Sequence, residues 1–409
     1  MEKVLARQNL MRALKRVRKN GGSPGIDGMT VGELPDWLKE HWPRVREQVL
    51  AGTYQPSPVR RAVIPKREGG ERELGIPTVL DRLIQQALLQ VLQPRFDPTF
   101  SEHSHGFRPR RGAHGAIGEA RGYVQAGRKW VVDVDLERFL DRVNHDVLMG
   151  RLAKRIEDRS VLGLVRRYLN AGVMANGVAV ERHEGTPQGG PLSPLLANVL
   201  LDEVDKKLEQ RGHAFVRYAD DLRVFVRSRK AGERVMCSLI GLFGKLRLRV
   251  NESKSAVDRA WNRPFLGFAF WAGPKRKVHV KVARKALDAM KDRVRTLTRR
   301  LRGRSLEQVA VELRAYLLGW KGYFRLAETP GVFDDLDQWI RHRLRAYRLK
   351  QWKRGKTAFR ELRALGASVD LAARIASNTR RWWRNSAMGL HIVMPISYFD
   401  RLGVPRLAT

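Results

Sequence analysis

The chain has 409 residues, 43% of them hydrophobic and 30% charged, a balance that fits two or three folded domains and excludes a disordered or collagen-like polypeptide. Lysine and arginine outnumber the acids so far that the formal net charge is +37, more than solubility requires and the footprint of a polyanion-binding surface. Nucleic acid is the expected polyanion and membrane is not, because no apolar run approaches the roughly 18 residues needed to span a bilayer and the basic residues are spread along the whole chain.

In chain order, residues 1–50 read as two helices separated by "KNGGSPGIDG", a Gly-rich turn without Walker spacing. The first helix is basic and amphipathic like a transit peptide, but Glu2 and its continuity with the next segment assign it to the mature fold. A strand pair follows around "RRAVIPKREGGERELGIP", bending at Gly69 and Gly70, and then an amphipathic helix from Val79 to about Gln93. "GFRPRRGAHGAI" is a basic loop leading into another helix. In "WVVDVDLERFLD" a strand puts Asp133 and Asp135 on one face and Val132, Val134 and Leu136 on the other.

Helices fill 145–170, a strand pair lies near 172–184, and "TPQGGPLSP" is a loop before the helix "LLANVLLDEVDKKLEQ". In "FVRYADDLRVFV" the alternation on both sides of Asp220 and Asp221 predicts strand, tight turn, strand. Aspartate also occurs at turns simply because it bonds its own backbone. A helix at 231–246 and a short strand at "FLGFAF" precede a nearly all-helical pattern from about Val282, the main domain boundary. The single cysteine, Cys237, falls in the apolar run "ERVMCSLIGLF" and is expected in the core. One cysteine excludes an intramolecular disulfide and a multi-cysteine zinc site, and fits a reducing compartment.

Two-metal phosphoryl transfer needs carboxylates converging on two Mg²⁺ ions about 4 Å apart. The candidate strand at 131–136 and the hairpin at 218–221 could supply them if they meet in space. Mg²⁺ favours carboxylates plus substrate phosphates, so a short acidic set in a basic protein is the chemistry expected of a nucleotide polymerase. His103, Ser104 and His105 form a His-x-His without thiolate or carboxylate partners in sequence and read as structural.

"IPKREGGERELGIPTVLDRLIQQALLQVL", "SHGFRPRRGAHGAI", "DLERFLDRVNHDVLM", "GTPQGGPLSPLLANVLLDE", "RYADDLRVFV", "VNESKSAV" and "FLGF" follow one another as in bacterial group II intron reverse transcriptase/maturases, which the chain resembles over nearly its whole length. The resemblance implies an α+β right-hand polymerase: fingers and palm over 1–281, an all-α thumb or maturase domain over 282–353, and a small helical DNA-binding region over 354–409. Asp135, Asp220 and Asp221 would hold the two Mg²⁺ ions, with Asp133 structural or supporting. Lys66 and Arg72 would clamp the deoxynucleoside triphosphate and Gln188 would touch its sugar, while Gly189 and Gly190 let the backbone approach closely.

Lys254 matches the position proposed to protonate the leaving pyrophosphate, and a plain surface lysine is the alternative. "FLGF" looks like the primer grip. The family more often has "FFD" where this chain has Leu140 as the second member. A ring there abuts the sugar 2′ position, so Leu140 suggests weaker rejection of ribonucleotides unless leucine is bulky enough. Arg341, Arg343, Arg345, Lys350 and Lys353 make a basic helix face suited to RNA phosphates. Trp320, Tyr323, Phe324, Trp339 and Trp352 are mostly core, with some able to stack on unpaired bases.

Longer members append a nuclease with paired cysteines. This chain offers no such pattern, and no endonuclease is expected. The resemblance implies RNA-directed DNA synthesis from a DNA primer in the bacterial cytoplasm, coupled to binding of the parent intron RNA, splicing and copying into target DNA. The alternatives are an RNA-binding splicing factor with weak polymerase and a host-adopted enzyme of DNA repair.

Overall fold

The computed structural model describes residues 1–65, 71–175, 178–180, 184–186, 189–300 and 303–408. The chain divides into two compact units, Met1–Ala260 and Trp261–Thr409, parting ahead of the composition shift at Val282.

The first unit opens with α1 (Glu2–Leu5) and α2 (Arg7–Asn20), separated by extended Ala6 rather than continuous, then α3 (Leu34–Ala51). The strands β1 (Val59–Pro65) and β2 (Glu71–Ile76) pair antiparallel and lead to α4 (Val79–Phe96). Thr78 caps α4, its side chain accepting from the Asp81 N–H, which meets one of the first-turn donors that a helix leaves unpaired. Next come α5 (Ala113–Gln125), β3 (Trp130–Val134), α6 (His145–Ala153), α7 (Arg159–Asn170), β4 (Val173–Ala175) and β5 (Val178–Val180). The unit closes with α8 (Ser193–Gln210), β6 (Ala214–Tyr218), β7 (Asp221–Val226), α9 (Arg229–Lys245) and β8 (Ala256–Arg259).

Two four-stranded sheets result. One has the order β2-β1-β4-β5; the other, β6-β7-β3-β8, is antiparallel throughout. Residues Val132, Val134, Phe215, Leu222 and Val224 of the second sheet join the helices in one apolar core. Alternation along β3 and β7 directs these side chains to the helix layer, so the intervening residues face the other way, toward the site.

Cys237 does not sit in that core. The buried stripe of α9 is Gly232, Val235, Leu239 and Phe243, and the thiol falls outside it and is exposed. An apolar run read without its helical phase cannot separate the two faces.

The second unit has an antiparallel pair, β9 (Phe268–Ala272) and β10 (Val278–Val282), followed among the described residues by helices. These are α10 (Arg284–Leu297), α11 (Leu306–Phe324), α12 (Pro330–Trp352), α13 (Gly355–Ala364), α14 (Val369–Ala376), α15 (Trp382–Met388), α16 (Leu390–Val393) and α17 (Ile396–Arg401). Ser305 and Gln308 start α11 with a reciprocal capping box. Trp320, Phe324 and Trp352 are buried, while Tyr323 is exposed on one side and donates its hydroxyl to the Leu266 carbonyl at 2.9 Å. No helix among the described residues is long and apolar enough to cross a membrane.

Candidate active site

Register brings the acids together. In the antiparallel pair β3–β7, Asp133 stands opposite Arg223 and Val134 opposite Leu222, so Asp135, the residue after β3, continues toward Asp221. Asp135 is fixed by its backbone: its N–H donates to Ser255 Oγ at 3.0 Å and its carbonyl accepts from the Asn251 N–H at 2.8 Å. The loop that supplies both partners also carries Lys254, which is exposed. On the other strand, Tyr218 pairs with Asp221 across a two-residue turn of Ala219 and Asp220, with Asp220 exposed at its tip. The predicted strand-turn-strand is therefore present, and its acids lie beside the β3 acids in one sheet.

Arg223 was not anticipated by sequence reasoning. Its Nε lies 3.1 Å from Asp133 Oδ1 and 3.2 Å from Asp221 Oδ1, bridging the two strands. Asp133 is thus buried and salt-bridged. Only the alternation placing Arg223 on the Asp221 face hinted at this; the opposing partner depends on the register. Burial pushes the Asp221 carboxyl above its ordinary range; Arg223 works against this, while Asp133 and Asp220 add to it. Its side chain nevertheless keeps 38% exposure on the open side.

Among the described residues no three His, Cys, Asp or Glu side chains close into a metal cage. Mg²⁺ does not need one, since it usually takes one or two carboxylates and completes its shell with water and phosphate oxygens. Carboxylates at one edge of the sheet, with Asp221 still partly open and Arg223 bridging it to Asp133, are a donor type that fits such a cation.

Leu140 is half-buried in a short turn of 3₁₀ helix, Phe139–Arg142, and its carbonyl accepts from the Thr186 N–H at 2.7 Å. This ties it to the loop that leads to Gln188. Gly189 adopts φ +130°, and a Cβ there would stand 2.9 Å from the Gly75 carbonyl oxygen; at Gly190 it would stand 2.6 Å from Gln85 Oε1. The close approach expected of these glycines is made to protein neighbours. Arg72 lies on β2 opposite Ile64, its side chain outside the described set; Lys66 and Gln188 lie outside the described residues altogether.

The basic face expected on α12 is only partly a surface. Arg341 is 0% exposed, paired with Asp337 at 2.6 Å and donating to the Pro405 carbonyl at 3.1 Å. Arg345 is buried, donating to the Met394 carbonyl at 2.9 Å. Neither presents its guanidinium to a ligand, because residues 337, 341 and 345 form the i, i+4, i+8 stripe that meets the C-terminal segment. Arg343 is half-buried over Trp339, Lys350 lies 4.5 Å from the Trp382 ring centroid, and Lys353 is exposed.

His103 and His105 both bond Glu119, His105 Nε2 at 2.7 Å from Oε2, and Tyr123 donates to Oε1 at 2.7 Å. Sequence reasoning found no carboxylate partner for the His-x-His, and the structure supplies one, Glu119, more than a dozen residues along the chain.

Comparison with known proteins assigns both parts of the chain to families. Residues 64–270, just over half of the chain, match the model of the reverse transcriptase (RNA-dependent DNA polymerase) family, and residues 287–366 match the group II intron, maturase-specific domain. Protein YkfC of Escherichia coli is 34% identical over 285 residues, covering 58% of this chain and 73% of YkfC. The group II intron-encoded protein LtrA of Lactococcus lactis is 38% identical over 193 residues, covering 46% of this chain and 32% of LtrA. A putative COX1/OXI3 intron 1 protein of Saccharomyces cerevisiae is 31% identical over 201 residues, covering 49% of this chain and 24% of that protein. The chain thus spans most of YkfC but a third or less of the two intron proteins. With the family match running through both strands of that antiparallel sheet, the chain belongs to the reverse transcriptases and carries a group II intron maturase-specific domain.

Proposed function

We propose that the protein copies RNA into DNA from a DNA primer, that the RNA it serves is a group II intron which it binds and helps to splice, and that the copy enters a DNA target. The observation that supports the reading is the register of β3 against β7, Val134 opposite Leu222, which carries Asp135 toward Asp221 within the segment matched to the reverse transcriptase family. A pure RNA-binding splicing factor has no need of convergent acids at that edge.

In this reading Asp135, Asp220 and Asp221 hold two Mg²⁺ ions, which when bound activate the primer 3′-hydroxyl and stabilise charge on the leaving pyrophosphate. Arg223 holds Asp133 and one oxygen of Asp221, leaving that carboxylate oriented. Lys254, on the loop that fixes Asp135, gives a proton to the pyrophosphate. Lys66, Arg72 and Gln188 bind the deoxynucleotide, and Leu140 borders its sugar. Arg343, Lys350 and Lys353 remain as RNA-phosphate contacts, with 1–281, 282–353 and 354–409 as polymerase, maturase and DNA-binding regions.

Primer extension on an RNA template with Mg²⁺ and deoxynucleotides tests this. Metal-dependent cDNA is expected from the wild type, with a loss of about 10³-fold or more in Asp220→Ala, a substitution that removes a carboxylate from the reacting centre. No cDNA from a folded wild type that still binds RNA would instead favour the splicing-factor role.

A further inference from the structure

The turn that carries Asp220 and Asp221 is gripped by a buried charge. Arg217, near the end of β6, is 1% exposed, and its partner Asp205 on α8 is 0% exposed. Arg217 Nε donates to Asp205 Oδ1 at 2.8 Å, and Nη1 donates to both Asn198 Oδ1 and the Ala219 carbonyl at 2.9 Å. Asn198 extends the link, its Nδ2 donating to the Gly106 carbonyl at 2.9 Å. Gly106 lies so close to the turn that a Cβ there would stand 2.2 Å from the Ala219 nitrogen. The segment preceding it runs along β6, the Arg217 N–H donating to the His103 carbonyl at 2.9 Å and the His105 N–H to the Arg217 carbonyl at 2.8 Å.

Stability alone gives weak reason for such a pair, because a buried ion pair can often be replaced by packed apolar residues without loss. The third acceptor distinguishes this one. Ala219 sits at φ +58°, the left-handed region that L-residues other than Asn and Asp seldom occupy and that persists only where the surroundings enforce it. The planar fork of arginine reaches Asp205, Asn198 and Ala219 at fixed angles; a lysine could keep Asp205 but has a single nitrogen to share.

We infer that Arg217 is a positioning residue of the polymerase site: with Asp205, Asn198 and Gly106 it fixes the backbone of Ala219 and thereby the height and aim of Asp220 and Asp221. The role rests on the polymerase reading above. An ordinary core ion pair in the same place would support folding and leave the turn indifferent to which nitrogen serves which acceptor.

Full-length Arg217→Lys and Asn198→Ala are compared with wild type by primer-extension kinetics, by thermal melting and by amide exchange in peptides spanning Tyr218 to Leu222. Asn198→Ala keeps the ion pair and guards against a lysine variant that fails to fold. Folded variants are expected to lose up to about 10² in kcat, the cost of a misplacement near 1 Å, with KM for the deoxynucleotide within about twofold and faster exchange at the turn. Unchanged exchange at the turn, or a kcat that falls only as far as the folded fraction, overturns the inference. A wild type that makes no cDNA would sink the polymerase reading and the positioning role with it, while exchange separately decides whether the clamp holds the turn.

Discussion

Glu119 gathers His103, His105 and Tyr123 onto one carboxylate, and its protonation has a readable consequence. Burial works to raise this carboxyl, but hydrogen bonds from His103, His105 and Tyr123 outweigh it and bring it from the ordinary 4.5 to about 2. A depressed carboxyl contributes stability that is complete above 4.5 and lost as the pH falls toward about 2. His103 runs the other way: its bond to Glu119 raises it, so its share is complete below 6.5 and is lost as the pH climbs through its raised value. Glu119→Gln is expected to cost about 1–3 kcal/mol near pH 6 and to flatten both limbs of a melting-temperature profile against pH. At Leu140, the expectation is that Leu140→Phe raises the deoxynucleotide over ribonucleotide ratio of kcat/KM by about tenfold, because a ring fills space that leucine leaves beside the 2′ position. Equal ratios in the two proteins would remove leucine as the cause.

At the scale of an element, α12 separates basic residues that bind from basic residues that build. Asp337 accepts from Arg341 and from the N–H groups of Leu407 and Ala408 at 2.8 and 3.1 Å, so one buried pair fastens the C-terminal segment to the helix. Arg341→Ala leaves Asp337 buried without its cation and is expected to destabilise the second unit by about 3–5 kcal/mol, measured by urea unfolding. Lys353→Ala should leave unfolding unchanged and lower the salt slope of RNA binding by about one ion. Helical periodicity alone does not say which stripe of a helix another segment covers.

Over the whole molecule, the +37 net charge sets how binding responds to salt. RNA affinity is expected to fall about 10³-fold or more between 50 and 200 mM salt if six or more phosphates are neutralised, while kcat at saturating RNA stays nearly constant. Composition, periodicity and motif order by themselves pointed to a polyanion as partner and determined the mixed α+β unit followed by a helical one and the strand-turn-strand at Asp220 and Asp221, because these depend on composition and on local spacing along the chain. Tertiary structure decided which charges face one another: Arg223 between Asp133 and Asp221, Arg217 between Asp205 and Ala219, Glu119 between two histidines, and Arg341 turned inward. The physical reason is that a charge's partner is set by sheet register and by helix packing across long stretches of chain, and sequence neighbours carry no record of either.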